Sequence, residues 1–246
     1  MIRALAAFCL AAVALSGCQQ QTADTDRPAT AREFPRPDRP VSELGANRFS
    51  SETEREAVNE AQTVMDLAEI KSGMTVADIG AGEGYYTVRL AERVGAEGRV
   101  LAQDIDEEAL RKLGLRVERE RLDNVSIKLG AEDDPRLPDS SFDRIFLVHM
   151  YHEVTEPYAF LWRLRSALRE NGRVIVVDVD RPTDKHGIPP ALLFCEFGAL
   201  GFRLGEFVRK PELQGYYAQF ELEEDRPEPS EIKPCKLSET LAAAKK

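Results

Sequence analysis

The stretch VADIGAGEGY, residues 76–85, decides the fold of this chain. An apolar run that ends in Asp78 is typical of a buried parallel strand. The glycines that follow allow a turn whose backbone can approach a ligand without an intervening Cβ. A helix begins after this turn, and its N-terminus attracts negatively charged groups. The stretch therefore predicts an α/β fold with a ligand site at the turn.

A second acidic residue follows one helix later in the chain. The apolar segment 99–103 reads as a second strand and is followed directly by Asp104. In nucleoside-binding βαβ units, an acid at this position accepts hydrogen bonds from the ribose hydroxyls. The two strands and the helix between them therefore predict a nucleoside site.

The spacing of the glycines narrows the kind of nucleoside. A dinucleotide turn reads G-x-G-x-x-G, whereas single residues separate Gly80, Gly82 and Gly84. This pattern resembles motif I of the class I S-adenosylmethionine (SAM) methyltransferases, which typically read [VIL]-x-D-[LIV]-G-x-G-x-G. Another Rossmann-like turn, including an NAD site, is the alternative interpretation.

The resemblance implies SAM as the cofactor. In this family the first Asp lies near the methionine part of SAM, the glycine turn contacts sugar and methionine, and the second-strand acid holds the ribose. An acid after the third strand, here 124–129, often accepts from the adenine amino group; Asp133 is the first candidate and Glu132 the second, with a solvated acidic loop as the alternative. The predicted cofactor-binding residues are Asp78, Gly80, Ala81, Gly82, Gly84, Asp104, Ile105, Glu132 and Asp133.

The resemblance extends over residues 74–180 and implies a fold. Residues 135–143 are similar to the LP…(S)FD segment before strand four, and residues 168–178 to the L(K/R)PGG element. The chain is most similar to methyltransferases of ubiquinone and menaquinone biosynthesis, and to bacterial SAM-dependent methyltransferases with a YH-[HE] step after strand four. The implied α/β architecture is the Rossmann-like class I fold, with a mostly parallel seven-stranded sheet and a reversed C-terminal hairpin.

Candidate catalytic groups lie in the segment HMYHE, residues 149–153, which faces the predicted cleft. The sulfonium of SAM makes its methyl group electrophilic, so the protein mainly aligns the acceptor. A base is needed only when the acceptor must lose a proton. His152 and Tyr151 are the candidates for a base or an orienting group on a small-molecule acceptor, and His152 could instead cap a helix or bond a carbonyl group.

The histidines also raise the question of a metal site. His149, His152 and Glu153 lie within five residues, and two histidines at i and i+3 on a helix can share a metal. The remaining histidine, His186, lies in a loop that contains Pro and Gly. We therefore expect no metal site.

The N-terminus is predicted to be a targeting signal. Its apolar stretch, residues 4–15, is too short to span a membrane and leads into LSGC, residues 15–18. These four residues resemble the bacterial lipobox, which implies a lipid on Cys18 and a periplasm-facing position in the cell envelope. Gln19 slightly favours the outer membrane. An ordinary secretory signal, or an unused one on a cytoplasmic enzyme, are the alternatives.

The rest of the chain divides by composition. Proline and polar residues after Cys18 predict a segment that cannot offset its ordering entropy, although Phe34 and Val41 could dock on the domain. Ser51 and Glu54 fit a capping box that opens an amphipathic helix. The predicted organisation is a lipoprotein-type signal peptide at 1–18, a flexible tether at 19–50, the methyltransferase domain at 51–223 and a loosely ordered tail at 224–246.

Charge and cysteine content limit partners and compartment. The net charge of −10 argues against a general nucleic-acid binder. Two cysteines, Cys195 and Cys235, remain after the predicted signal and its lipidated residue. They could pair in an oxidising periplasm, or Cys195 could be a buried free thiol.

Two functions of different classes remain open. The first is a SAM-dependent methyltransferase that acts on a small molecule. The second is an exported, non-enzymatic lipoprotein that retains a nucleoside-binding pocket. SAM is made in the cytosol, so an exported enzyme needs a supply of SAM outside it. The intact Asp78, glycine turn and Asp104 favour retained SAM binding.

Overall fold

A seven-stranded sheet forms the centre of the protein. The computed structural model describes residues 24–42, 51–210, 213, 215–223 and 225–237. The strands, in chain order, are β1 Thr75–Ile79, β2 Arg99–Asp104, β3 Val125–Leu129, β4 Phe142–Val148, β5 Leu168–Asp178, β6 Phe202–Lys210 and β7 Gly215–Leu222.

The order of the strands across the sheet is β3-β2-β1-β4-β5-β7-β6. The first five strands are parallel to their neighbours, whereas β7 runs antiparallel to both β5 and β6. The mostly parallel sheet and the reversed C-terminal hairpin are therefore confirmed. The order changes direction between β1 and β4, and open α/β sheets bind ligands at such a switch point.

Helices cover both faces of the sheet because successive strand residues point to opposite sides. Along β4, Ile145 and Leu147 pack into one apolar core with the fifth and sixth helices, and Phe146 packs into the other with the second and third. The helices are α1 Glu52–Ala57, α2 Glu60–Leu67, α3 Tyr85–Val94, α4 Glu107–Glu120, α5 Pro157–Leu164 and α6 Pro190–Gly198.

The front of the domain differs from the single helix that periodicity predicts. The Ser51–Glu54 capping box forms as expected. The helix then breaks at Asn59, whose φ of 56° is left-handed and separates α1 from α2. Asn tolerates this conformation better than most residues. The break allows Arg55 of α1 to donate to the buried carboxylate of Glu60, at 3.0 Å from Nε.

Residues 24–42, here called the N-terminal arm, pack on the domain. Arg27 donates two hydrogen bonds to Glu156, at 2.7 and 2.6 Å. Arg39 donates to Glu196 of α6 at 2.8 Å, and Phe34 is buried. The flexible tether predicted for 19–50 is therefore wrong for this part, because buried carboxylates supply partners for its arginines. Residues 19–23 and 43–50 lie outside the described residues.

Residues 225–237, here called the C-terminal segment, also pack on the domain. Cys235 forms a disulfide with Cys195 of α6, and its backbone N–H donates to the Tyr158 hydroxyl at 2.7 Å. The guanidinium of Arg226 lies 3.7 Å from the centre of the Trp162 ring. The predicted loose tail is wrong for these residues, because the disulfide and these contacts fix them to α5 and α6. In the chain-entropy account, a crosslink between residues 40 apart destabilises the unfolded chain by about 4 kcal/mol.

The two docked segments meet. Asp38 of the N-terminal arm and Lys236 of the C-terminal segment form a parallel β-bridge. Within the described ranges, no helix has the length and apolar character needed to cross a bilayer. The predicted signal, with Cys18, lies outside those ranges.

Candidate active site

A cavity of about 430 Å³ opens at the carboxyl ends of β1, β2 and β4. The front helix α1 contributes Glu52 and Arg55 to its wall. The segment after β4 contributes His149 and Met150 among others. Six predicted cofactor-binding residues line this cavity: Gly80, Ala81, Gly82, Asp104, Ile105 and Glu132.

The glycine turn has the backbone that the motif requires. Gly80, Gly82 and Gly84 have φ values of 68°, 54° and 90°, all left-handed. A Cβ at Gly80 would lie 2.9 Å from the Met150 side chain, and one at Gly84 would collide with Leu113 of α4. A Cβ at Gly82 would meet nothing within 4 Å. Gly82 therefore exposes its backbone to open space, where a ligand can approach closely.

Asp104 is fixed at the edge of the cavity by backbone donors. One carboxylate oxygen accepts from the Gly82 N–H at 2.8 Å. The other accepts from the N–H groups of Ile105 and Asp106, at 2.7 and 3.0 Å. A carboxylate offers about four acceptor sites, of which three are used, so Asp104 can accept one further hydrogen bond from a ribose hydroxyl. Its predicted role fits this geometry.

Asp78 and Gly84 lie behind the cavity. The Asp78 side chain is only 3% exposed and accepts from the Thr87 hydroxyl at 2.6 Å. Burial raises the pKa of Asp78 to about 6, although the hydrogen bond from Thr87 opposes the shift. Contrary to the prediction, neither Asp78 nor Gly84 lines the cavity. Both support the turn from its buried side.

Of the two acids proposed to bind the adenine amino group, only the second lines the cavity. Asp133 is 3% exposed, and its carboxylate accepts from Thr30 of the N-terminal arm at 2.6 Å and from Arg163 of α5 at 2.9 Å. It does not line the cavity, whereas Glu132 does. The first choice, Asp133, does not fit the prediction, because partners distant in sequence hold it in the interior. Glu132 stays a predicted adenine contact.

The two catalytic candidates lie beneath the cavity wall. Tyr151 and His152 are both 0% exposed, and neither lines the cavity. The Tyr151 hydroxyl donates to Glu196 at 2.8 Å, and His152 Nδ1 lies 3.0 Å from both carboxylate oxygens of Asp178. Neither side chain is placed for direct contact with an acceptor. The prediction that they contact the acceptor directly is therefore wrong, because each is hydrogen-bonded to a buried carboxylate instead.

Other residues provide the polar groups that face the cavity. His149 and Glu153 both line it. His149 Nε2 lies 3.5 Å from a carboxylate oxygen of the buried Glu60. Burial opposes ionisation of Glu60, but the hydrogen bonds of His149 and Arg55 lower its pKa to about 2. The sequence did not indicate a role for Glu60 or Arg55, because charged residues in an amphipathic helix usually lie on its solvated face.

Comparison with known proteins decides the family. The methyltransferase domain family, Methyltransf_31, matches residues 70–193, which is half of the chain. The chain belongs to this family. Among its relatives is the ubiquinone/menaquinone biosynthesis C-methyltransferase UbiE of Idiomarina loihiensis, 32% identical over 120 residues, or 48% of this chain and 47% of the relative. The Escherichia fergusonii UbiE is 31% identical over 125 residues. The chain thus spans about half the length of these relatives.

Solved structures agree with this assignment. A SAM-dependent methyltransferase from Aquifex aeolicus is similar with a TM-score of 0.62 and 26% identity, covering 68% of this chain and 90% of that one. A Haemonchus contortus phosphoethanolamine N-methyltransferase shares the fold, with a TM-score of 0.56 and 16% identity, covering 72% of this chain and 46% of that one. The methyltransferase is therefore a class I enzyme that uses SAM, and the non-enzymatic alternative has no support.

The residues of the cavity fit this cofactor. Gly82 leaves space for close approach, and Asp104 presents acceptors at the edge of the turn. Ile105 and Glu132 line the same cavity. The cofactor supplies the electrophilic methyl group, and the protein supplies position and exclusion of water.

Replacement of Asp104 tests the nucleoside site. Asp104→Ala removes the acceptor for the ribose hydroxyls, and SAM affinity measured by isothermal titration should fall by roughly tenfold to a hundredfold. Asp133→Asn is the matched control. It should lower the thermal unfolding midpoint, because it weakens the pairing with Arg163, and leave SAM affinity within about twofold. If Asp133→Asn lost SAM affinity and Asp104→Ala did not, Asp133 would again be the candidate for contact with adenine.

The buried carboxyl of Asp78 predicts a pH dependence of stability. Its native pKa of about 6 lies above the ordinary value of 3.8 for an aspartic acid, so the native state binds this proton more tightly than the unfolded chain does. That contribution to stability is present at low pH and is lost as the pH rises from about 4 to about 6. Asp78→Asn should therefore become more stable than the wild type above about pH 6, by about 3 kcal/mol.

Urea unfolding at a series of pH values measures this difference. The increase in the free energy of unfolding of Asp78→Asn over wild type should be small near pH 4 and should grow toward pH 7. Asp139→Asn, at an exposed carboxyl, is the control and should show no such growth. A gain for Asp78→Asn that is independent of pH would contradict the raised pKa.

Proposed function

We propose that this methyltransferase transfers the methyl group of SAM to an apolar small molecule bound beside His149 and Glu153. The observation that carries the proposal is a single cavity that joins the glycine turn to these two side chains. Apolar groups also line this wall, among them Met150, Val154 and Phe160. An acceptor with an apolar body and one polar group would fit such a surface.

The relatives narrow the proposed acceptor. Those named as ubiquinone/menaquinone biosynthesis C-methyltransferases act, by name, on carbon atoms of quinone precursors. We infer that this chain also takes a ring-bearing, oxygen-containing molecule. In the transfer, the acceptor atom bonds to the methyl carbon while the methyl–sulfur bond breaks, and the sulfur retains that electron pair. Where the methylated atom carries a proton, that proton passes to His149, a titratable group that lines the cavity.

We also propose that the enzyme is lipid-anchored through Cys18 and faces the periplasm. The lipobox-like residues 15–18 support this proposal, as does the Cys195–Cys235 disulfide, since disulfides persist in oxidising compartments. The N-terminal arm is docked from Asp24 onward. Six backbone steps separate Asp24 from Cys18, which keeps the domain within about 20 Å of the lipid. An apolar acceptor could then reach the cavity from the bilayer.

Methyl transfer is tested directly with the purified enzyme. Incubation with methyl-labelled SAM and envelope lipid extracts should yield a product heavier by one methyl group, detected by mass spectrometry. Gly82→Val places a side chain in the open space at the turn and forces a strained φ, so it should abolish both SAM binding and product. Wild type that binds SAM yet methylates nothing in extracts of the envelope or the cytosol would refute the function.

The anchor is tested by metabolic labelling in a bacterial host. Radioactive palmitate should label the full chain, and the labelled protein should fractionate with membranes. Cys18→Ala should lose the label and leave the membrane fraction, because a covalent lipid is the proposed source of attachment. Unlabelled wild type in the cytosolic fraction would show that the signal is not used.

A further inference from the structure

Three potential metal ligands converge beside the acceptor wall of the cavity. His152, Glu153 and His186 each offer one ligand atom, and these atoms all lie within 4.8 Å of one another. His152 and Glu153 belong to the 3-10 turn that follows β4. His186 follows the 3-10 turn Thr183–Lys185, beyond the end of β5. Because β4 and β5 are neighbours in the sheet, residues 34 positions apart meet here.

The first ligand, His152, is held in the orientation that a metal requires. Its Nδ1 lies 3.0 Å from both carboxylate oxygens of Asp178, the last residue of β5. A carboxylate accepts hydrogen bonds, so this contact places the imidazole hydrogen on Nδ1 and leaves a lone pair on Nε2. Nε2 points toward Glu153, 3.9 Å from Oε1. A carboxylate behind a ligating histidine is a recurrent feature of metal sites.

His186 is the second imidazole, and its backbone is fixed. Its φ of 53° is left-handed, and its N–H donates to the Ser42 hydroxyl of the N-terminal arm at 3.0 Å. The ring lies 5.8 Å from the His152 ring and nearly perpendicular to it, at 82°. Among the described residues, Nδ1 of His186 is buried without a hydrogen-bond partner. A buried polar atom in this state is costly, and a bound cation or its ligands would relieve the cost.

We propose that His152, Glu153 and His186 bind one divalent cation of the zinc class. Two imidazoles and one carboxylate form a donor set that zinc accepts at catalytic sites. Tetrahedral zinc would bring the ligand atoms to about 3.3 Å from one another, so rotation of the half-buried side chains of Glu153 and His186 would close the observed gaps. The carboxylates of Glu153 and Asp178 balance the charge of the cation.

This proposal departs from the expectation of no metal site. That expectation rested on the loop position of His186 in the sequence. Of the three histidine and acidic groups in residues 149–153, His149 serves another contact, because it faces Glu60. Because β4 and β5 are neighbours, the distant loop with His186 lies beside His152. Asp178 fixes the orientation of the His152 ring.

The cation would hold the acceptor, a role that rests on the proposed function. Three protein ligands leave a position open. Glu153 lines the cavity, so the open position lies on the side of the acceptor. There the cation would bind an acceptor oxygen as a Lewis acid and favour its deprotonated form, with the proton released to water. The proposed acceptor class is therefore one with a hydroxyl or enol oxygen at or next to the methylated atom.

Binding of Co²⁺ tests the site without reference to activity. Tag-free protein is freed of metal with a chelator and titrated with Co²⁺, followed by the visible absorption of the ion and by elemental analysis. We expect about one ion per chain, with the intense absorption of low-coordinate Co²⁺. His186→Ala and Glu153→Gln should each weaken binding by roughly a hundredfold, and Asp178→Asn by about tenfold or more.

His149→Gln is the matched control, because it removes an imidazole of the same segment that lies outside the cluster. Its Co²⁺ affinity should remain within about threefold of wild type. Titration of each variant with SAM verifies that the nucleoside site is folded. The proposal is overturned if SAM-binding wild type takes up no Co²⁺ at about 100 μM, or if His186→Ala binds it as wild type does. Bound Co²⁺ without methyl transfer would instead refute only the proposed function.

Discussion

The hydrogen bond from the Gly82 N–H to Asp104, at 2.8 Å, is the contact on which the site depends. It joins the turn after β1 to the end of β2 and holds the carboxylate at the edge of the cavity. The turn can make this bond only because its glycines adopt left-handed φ values. Leu113 of α4 packs against Gly84 from behind and leaves no room for a side chain there. Cofactor binding and helix packing therefore impose the same requirement on the turn.

Buried ion pairs determine where the N-terminal arm packs on the domain. The side chains of Arg39 and Glu196 are 0% and 1% exposed, and Tyr151 shares the same carboxylate. Such pairs contribute little net stability, because desolvation offsets attraction, but the loss of one partner leaves a costly unpaired charge. They favour one docked position of the N-terminal arm over others. The arm in turn supplies Thr30 to Asp133 and Ser42 to His186, and so reaches both ends of the site.

Local pattern predicted the regular elements well. The strand predicted before the glycine turn forms as β1 Thr75–Ile79, and the helix predicted after it forms as α3 Tyr85–Val94. The strand is a short buried run that ends at the glycine turn, and the helix has one apolar face. The front helix was predicted less well, because Asn59 breaks it at a position that periodicity alone does not mark. Proline and charge suggested a free tether and tail, yet residues 24–42 and 225–237 dock, because their partners lie at α5 and α6, far along the chain.

The sequence by itself determined the βαβ unit, its glycine turn and the acid at the end of β2, because all three are encoded within about thirty consecutive residues. It also contained the two cysteines, without deciding whether they pair. Only the tertiary structure decided that Glu132 rather than Asp133 lines the cavity, that His152 is held by Asp178, and that His186 joins it. These outcomes depend on which distant side chains compete for one carboxylate or meet at one sheet edge. Residue spacing along the chain carries no such information.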